Sequence, residues 1–239
     1  MPMTQPLQIR PHAVFFDLDG TLADTAADLA APVNAMRVER GLEPLPLDAL
    51  RPFASMGARG LIGRGLGIVR EDPAFEALRI EFLERYEAGM VVHTRLFDGV
   101  PELLDALDAA GLRWGVVSNK VERYVRPILA ALGVLERSVT AIGGDTTPFA
   151  KPHPEPLLHA AHLAGVDAAG CVYVGDDLRD VEAGRAAGMR TIAAAYGYCG
   201  DEGRPPGTWG ADALVGHPSE LAALLRVGRD RPMPGPGVL

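Results

Sequence analysis

Two acidic clusters hold most of the chemistry available to this chain of 239 residues. The first, DLDGTLADT, places Asp17 and Asp19 two residues apart, with Gly20 and Thr21 following. Asp and Gly favour turns, so one such cluster alone reads as a turn as readily as a site. The second, GDDLRD, brings Asp176, Asp177 and Asp180 directly after another apolar run, CVYV. Four or five carboxylates in one crevice repel one another and raise each other's pKa values unless a cation intervenes. Oxygen ligands from Asp suit a hard divalent cation, and two or three carboxylates with open water positions suit Mg²⁺ as phosphate-handling enzymes use it. Zinc is disfavoured, because no His/Cys cluster has ligand spacing.

A positive group follows by elimination. Of 23 basic residues only Lys120 and Lys151 are lysine, and Lys151 stands in AKPHPEP between an apolar run and the next helical segment. Lysine where arginine is otherwise the rule suits a site that wants a compact point charge. In VVSNK, Ser118 and Asn119 offer a hydroxyl, an amide and backbone N–H groups at the start of a helical segment. That setting favours an anion, although both residue types also make ordinary helix caps.

The elements that must position these groups alternate. Short apolar runs at Ala13 to Phe16, Trp114 to Val117, Val139 to Ile142, Cys171 to Val174 and Thr191 to Ala194 read as buried strands. Between them, Leu104 and Leu107 after Pro101, Val121 to Leu132 before Gly133, and Leu157 to Ala161 before Gly165 show helical spacing with a glycine stop. The expectation is an α/β fold, a doubly wound, Rossmann-like parallel sheet. From Leu22 to Val92 only helical segments are found: Leu29, Val33 and Met36 share a face, and Asp72 and Pro73 open a helix carrying Phe75, Leu78, Phe82 and Tyr86. The expected division is a core of residues 1–21 and 93–227, an all-helical cap of 22–92 over the binding crevice, and a loose Pro/Gly-rich tail of 228–239. In the cap, SMGARGLIGRGLG carries Arg59 and Arg64, which could reach a substrate carboxylate or sugar; a close-packed helix with surface arginines fits equally well. Its glycines do not form GxGxxG after a strand, so a dinucleotide site is unsupported.

With 48% hydrophobic and 23% charged residues the chain reads as globular, and a net charge of −8 works against non-specific binding to nucleic acid or anionic membrane. No run of 18 uncharged apolar residues occurs and MPMTQPLQIR lacks a signal-peptide core, so the expected location is the cytoplasm. Cys171 and Cys199 fit neither a disulfide framework nor a metal motif, and Cys171, Trp114 and Tyr173 read as core residues. The six histidines, His93 and His153 included, read as solvated.

In chain order, the first acids, Ser118 with Asn119, Lys151 and the second acids form a pattern that resembles the haloacid dehalogenase superfamily, phosphatase branch. Its four motifs would be DLDGT at Asp17, VVSN at Ser118, Lys151, and GDDLRD at Asp176, spanning nearly the whole chain. The insert is similar to that family's cap at the first of its two usual places. The nearest likeness is to the phosphoglycolate phosphatase group, and FEALRIEFLERY, GVPELLDAL, GLRWGVVSNK, GDDLRDVEAGRAAGM and WGAD look like the bacterial N-acetylmuramic acid 6-phosphate phosphatases within it.

The resemblance implies that Asp17 is a nucleophile forming an aspartyl-phosphate, and that Asp19 protonates the leaving alkoxide and later deprotonates water. It implies Mg²⁺ on the Asp17 carboxylate, the Asp19 backbone carbonyl and Asp176, with Asp177 close by or water-bridged. Lys151 would contact Asp17 and the phosphoryl group with Asp180 orienting it, and Ser118 and Asn119 would donate to phosphate. Thr21 and Asp24 would brace the loop and cap hinge without being catalytic, and Thr21 and Arg59 join the expected substrate or phosphate contacts. The implied partner is a small phosphomonoester, 2-phosphoglycolate or N-acetylmuramic acid 6-phosphate. A dehalogenase would not need Asp19, and a phosphonate hydrolase would need a cap lysine that residues 22–92 lack. A phosphosugar mutase keeps the same acids, while a receiver-like phosphoacceptor module lacks a cap of this length.

Overall fold

The structure, a computed structural model, describes residues 10–200 and 203–227; the expected tail of 228–239 lies outside them. In chain order the elements are strands β1 (Ala13–Phe16) and β2 (Ala23–Asp24), helices α1 (Ala26–Glu39), α2 (Leu47–Leu50), α3 (Gly57–Leu66) and α4 (Phe75–Gly89), and strand β3 (Arg95–Leu96). Then follow α5 (Val100–Ala109), β4 (Arg113–Val117), α6 (Glu122–Ala131), β5 (Ala141–Ile142), α7 (Glu155–Leu163), β6 (Cys171–Gly175), α8 (Leu178–Ala186), β7 (Arg190–Ala194), β8 (Ala213–Val215) and α9 (Ser219–Leu224).

Six strands make one parallel sheet in the order β5-β4-β1-β6-β7-β8. The chain winds from β1 outward through β4 and β5, then crosses to β6 and winds the other way, so β1 and β6 flank the reversal. Beyond the carboxyl ends of such a pair a crevice opens. Alternation along the strands separates two apolar layers. Val14, Phe16, Val172 and Val174 pack with α5, α6 and the helices between β2 and β3, whereas Ala13, Phe15, Cys171 and Tyr173 pack with α7 and α8. Both faces are therefore covered, which is why these strands read as unbroken apolar runs.

The structure differs from the sequence expectation at three places. A two-residue strand, β2, lies inside the segment expected to be wholly helical, paired antiparallel with β3 through Ala23 to Leu96 and Asp24 to Arg95. A sixth strand, β8, closes one edge of the sheet; it is three residues long with Leu214 half exposed, so it lacks a buried apolar run. Helix α4 starts at Phe75, later than Asp72 and Pro73 suggested, because the Asp72 carboxylate accepts the Ala74 N–H in a turn ahead of the helix. Among the described residues no helix is long and apolar enough to cross a membrane.

Candidate active site

Four neighbouring strands, β5, β4, β1 and β6, each lead into a polar group at the carboxyl end. Asp17 follows β1, Ser118 follows β4, Lys151 stands in the loop after β5 and Asp176 follows β6. The Asp17 N–H donates to the Val174 carbonyl and the Ser118 N–H to the Ile142 carbonyl, both at 2.9 Å, so the ladder continues past the strands and sets where these side chains leave it. Gly20 has φ of 85°, and a Cβ there would collide with the Asp176 carboxylate; only glycine lets the loop after β1 pass this close.

Lys151 Nζ is the hub. It lies 3.0 Å from Asp17 Oδ1 and 2.7 Å from Asp180 Oδ1, and donates to the Tyr173 hydroxyl at 2.7 Å and the Val117 carbonyl at 3.1 Å. Burial opposes its charge, but Asp17 and Asp180 outweigh that and hold the ammonium above its ordinary pKa. Carboxylate oxygens of Asp17, Asp176 and Asp180 come within 4.8 Å of one another. Three acids against one ammonium leave surplus negative charge. Burial, then the charges of Asp17 and Asp180, push Asp176 well above the usual carboxylate range, and burial with Asp17 also raises Asp180 despite Lys151. Such a surplus of hard oxygen donors fits a divalent cation.

Asp19 is held separately. Its Oδ1 accepts the Thr25 hydroxyl, just ahead of α1, and its Oδ2 lies 3.1 Å from Lys120 Nζ. That ammonium stands 4.8 Å from the centre of the Tyr86 ring, which α4 supplies. Asp19, Lys120 and Tyr86 line a cavity of about 300 Å³ together with Asp17, Ser118, Asn119 and Lys151. Leu29, Phe82 and Leu83 from α1 and α4 add apolar lining to these charged groups.

The family model of the haloacid dehalogenase-like hydrolases matches residues 14–194, from the first strand to the end of β7. The chain belongs to the haloacid dehalogenase-like hydrolases. It is 46% identical over 218 residues to an N-acetylmuramic acid 6-phosphate phosphatase of Pseudomonas aeruginosa, covering 91% of this chain and 96% of that one. It is 50% identical over 212 residues to a phosphoglycolate phosphatase of Xanthomonas campestris pv. campestris, covering 88% and 95%. Among solved structures, a predicted phosphoglycolate phosphatase from Haemophilus somnus superposes with a TM-score of 0.78 at 26% identity, over 90% of this chain and 98% of that one.

In this hydrolase Asp17, Asp19, Ser118, Asn119, Lys151, Asp177 and Asp180 all line the one cavity, with Asp176 buried against Asp17 and Asp180. Four of the expected site residues make contacts the sequence did not foretell. Arg59 is exposed and lines a different concavity, with Arg70, Asp72 and Glu76, because its position on α3 turns it away from the sheet. The Thr21 hydroxyl donates to Asp176 Oδ1 at 3.0 Å and the residue is fully buried, so it braces an acid, as expected of a loop support. The Asn119 amide holds the Lys151 backbone, donating to its carbonyl and accepting its N–H at 2.9 Å each; this clamps the lysine loop and leaves the second amide hydrogen free. Asp177 caps α8 and takes two hydrogen bonds from the Arg179 guanidinium, which holds its carboxyl below the usual range against the pull of burial.

Lys120, Tyr86 and Tyr198 were not singled out from sequence. The Tyr198 N–H donates to Asp176 Oδ2 at 2.8 Å and its hydroxyl accepts the Thr25 N–H at 2.7 Å, joining the loop after β7 to the start of α1. Lys120 carried a usable signal: the rarity of lysine that marks Lys151 marks it equally. Tyr173, a core residue by its ring, also reaches the site through its hydroxyl.

Proposed function

We propose that the chain is a divalent-cation-dependent phosphomonoester phosphatase acting through an aspartyl-phosphate on a small phosphorylated metabolite, 2-phosphoglycolate or N-acetylmuramic acid 6-phosphate. The observation that carries this reading is the grip of Lys151 on Asp17 beside two further buried acids. The two bacterial relatives, both phosphatases by name, support the same chemistry.

Asp17 is the nucleophile. Its Oδ1 accepts the Leu18 N–H at 2.7 Å as well as Lys151, which fixes the carboxylate plane before substrate arrives. Attack forms an oxygen–phosphorus bond and breaks the ester bond, and the departing alkoxide takes a proton from Asp19. Asp19 then accepts a proton from water, which hydrolyses the acyl phosphate and frees Asp17. Lys151 carries positive charge to the transferring oxygens, and Ser118 offers a hydroxyl at the same rim. Asp17, Asp176 and the Asp19 backbone carbonyl would hold Mg²⁺, with Asp180 behind them, since both Asp180 oxygens are engaged by Lys151 and the Asp177 N–H. A bound Mg²⁺ would offset the surplus charge and stabilise the phosphoryl oxygens.

The helices between the two short strands serve as the cap over this site. The antiparallel pair supports drawing its limits at residues 25–94 in preference to 22–92. The test is steady-state release of inorganic phosphate from a panel of small phosphomonoesters with Mg²⁺ and with chelator. Metal-dependent phosphate release is expected; an isomerised sugar phosphate without free phosphate, or a stable phosphoprotein without turnover, would overturn it.

A further inference from the structure

Tyr86 is the one ring of the cavity wall whose polar atom is unaccounted for. The residue is 2% exposed, and among the described residues its hydroxyl is one of three buried side-chain polar atoms without a hydrogen-bond partner. Neither of the other two, Arg85 Nε and Thr140 Oγ1, belongs to a residue of the cavity. The ring cannot easily turn to find a partner. Phe82 stacks against it at 6.5 Å and Tyr124 meets it edge-on at 5.5 Å and 88°. The Lys120 ammonium beside it is itself a donor and cannot accept the hydroxyl proton, so packing keeps at the cavity wall a donor with no acceptor in the protein, which a ligand oxygen would supply.

Its neighbour has donors to spare as well. Lys120 Nζ carries three donors on a side chain that is 7% exposed; it lies 3.1 Å from Asp19 Oδ2 and against the Tyr86 ring and hydroxyl, which leaves a donor over. An ammonium and a hydroxyl converging at the cap end of a cavity suit an anionic oxygen acceptor. The transferring phosphoryl group has its own partners, Lys151 and Asp17 at the sheet rim, so this pair is left for another oxygen of the substrate.

We propose that the Tyr86 hydroxyl and the Lys120 ammonium form a subsite for a carboxylate on the organic part of the substrate. The proposal rests on the phosphatase reading and adds the chemistry by which substrates are chosen. Tyr86 touches the organic part of the substrate, so it determines specificity and takes no part in proton transfer.

The test compares wild type and Tyr86→Phe on two pairs of esters, in each of which one member lacks the carboxylate: 2-phosphoglycolate with ethyl phosphate, and N-acetylmuramic acid 6-phosphate with N-acetylglucosamine 6-phosphate. Wild type should prefer the carboxylated member of at least one pair by kcat/KM, and Tyr86→Phe should cut that preference by about tenfold. Its Tm should change little, because the hydroxyl proton has no acceptor in the protein to lose. An unchanged preference ratio, or an equal loss on both members, would overturn the subsite while leaving the phosphatase reading standing. A wild type that prefers neither carboxylated ester overturns it too. No phosphate release from any of the four by wild type would instead overturn the phosphatase reading, and the subsite with it.

Discussion

Asp17 and Lys151 illustrate how a buried charge is made useful. Taken alone, each would be expensive to bury; together with Asp180 they form a set in which every charge faces its opposite, yet the acids still outnumber the ammonium. Asp17→Asn should lower phosphate release by at least about 10³-fold, the size of loss expected when a nucleophile is removed. It should also leave the metal-free protein as stable as wild type or more so, because one of three crowded carboxylates becomes neutral. Thermal unfolding in chelator beside an activity assay checks both, and retention of substantial turnover would show that another group attacks phosphorus. The chemistry of this position was legible from the apolar run that ends at Phe16 and the acids that follow it. The partners of Asp19 were less so, since Thr25 and Lys120 reach it only after the loop and the cap have folded around it.

Helix α1 is tied to the returning chain by one side chain. The buried Asp28 carboxylate accepts the His93 N–H, the Thr94 N–H and the Thr94 hydroxyl, at 2.7 to 2.9 Å for the shortest contact of each. Asp28→Ala strands three donors, so a loss of about 3 kcal/mol is expected. Chemical denaturation should show it as a lower midpoint with similar slope, and a change under about 0.5 kcal/mol would mean that water replaces the carboxylate. The helices and central strands were readable because period and burial coincide in them. Two-residue β2 and β3 were not, because a strand so short carries no periodicity and exists only through its partner. Strand β8 escaped for a related reason: an edge position relaxes the demand for an apolar run.

Across the molecule, the acid surplus makes stability depend on pH and metal together. Asp176 and Asp180 hold protons more tightly in the folded protein than in the unfolded chain. Their contribution is therefore fully present at low pH and is lost as pH rises from about 4 through their elevated values. A bound divalent cation reverses the sign by favouring the ionised acids. In chelator, Tm should fall between about pH 5 and about pH 8 relative to the same protein in Mg²⁺. At 100 times Kd the cation should supply about 2.7 kcal/mol, or about 5–10 °C for a protein of this size. A gap between the two melting curves that does not change with pH would argue that these acids stay ionised without metal. The paired strands Ala23–Asp24 and Arg95–Leu96 carry one last implication. Since exit and re-entry lie side by side, about 5 Å apart, residues can be added or lost in the helices between them without shifting the six-stranded floor, so long as Thr25 keeps its grip on Asp19.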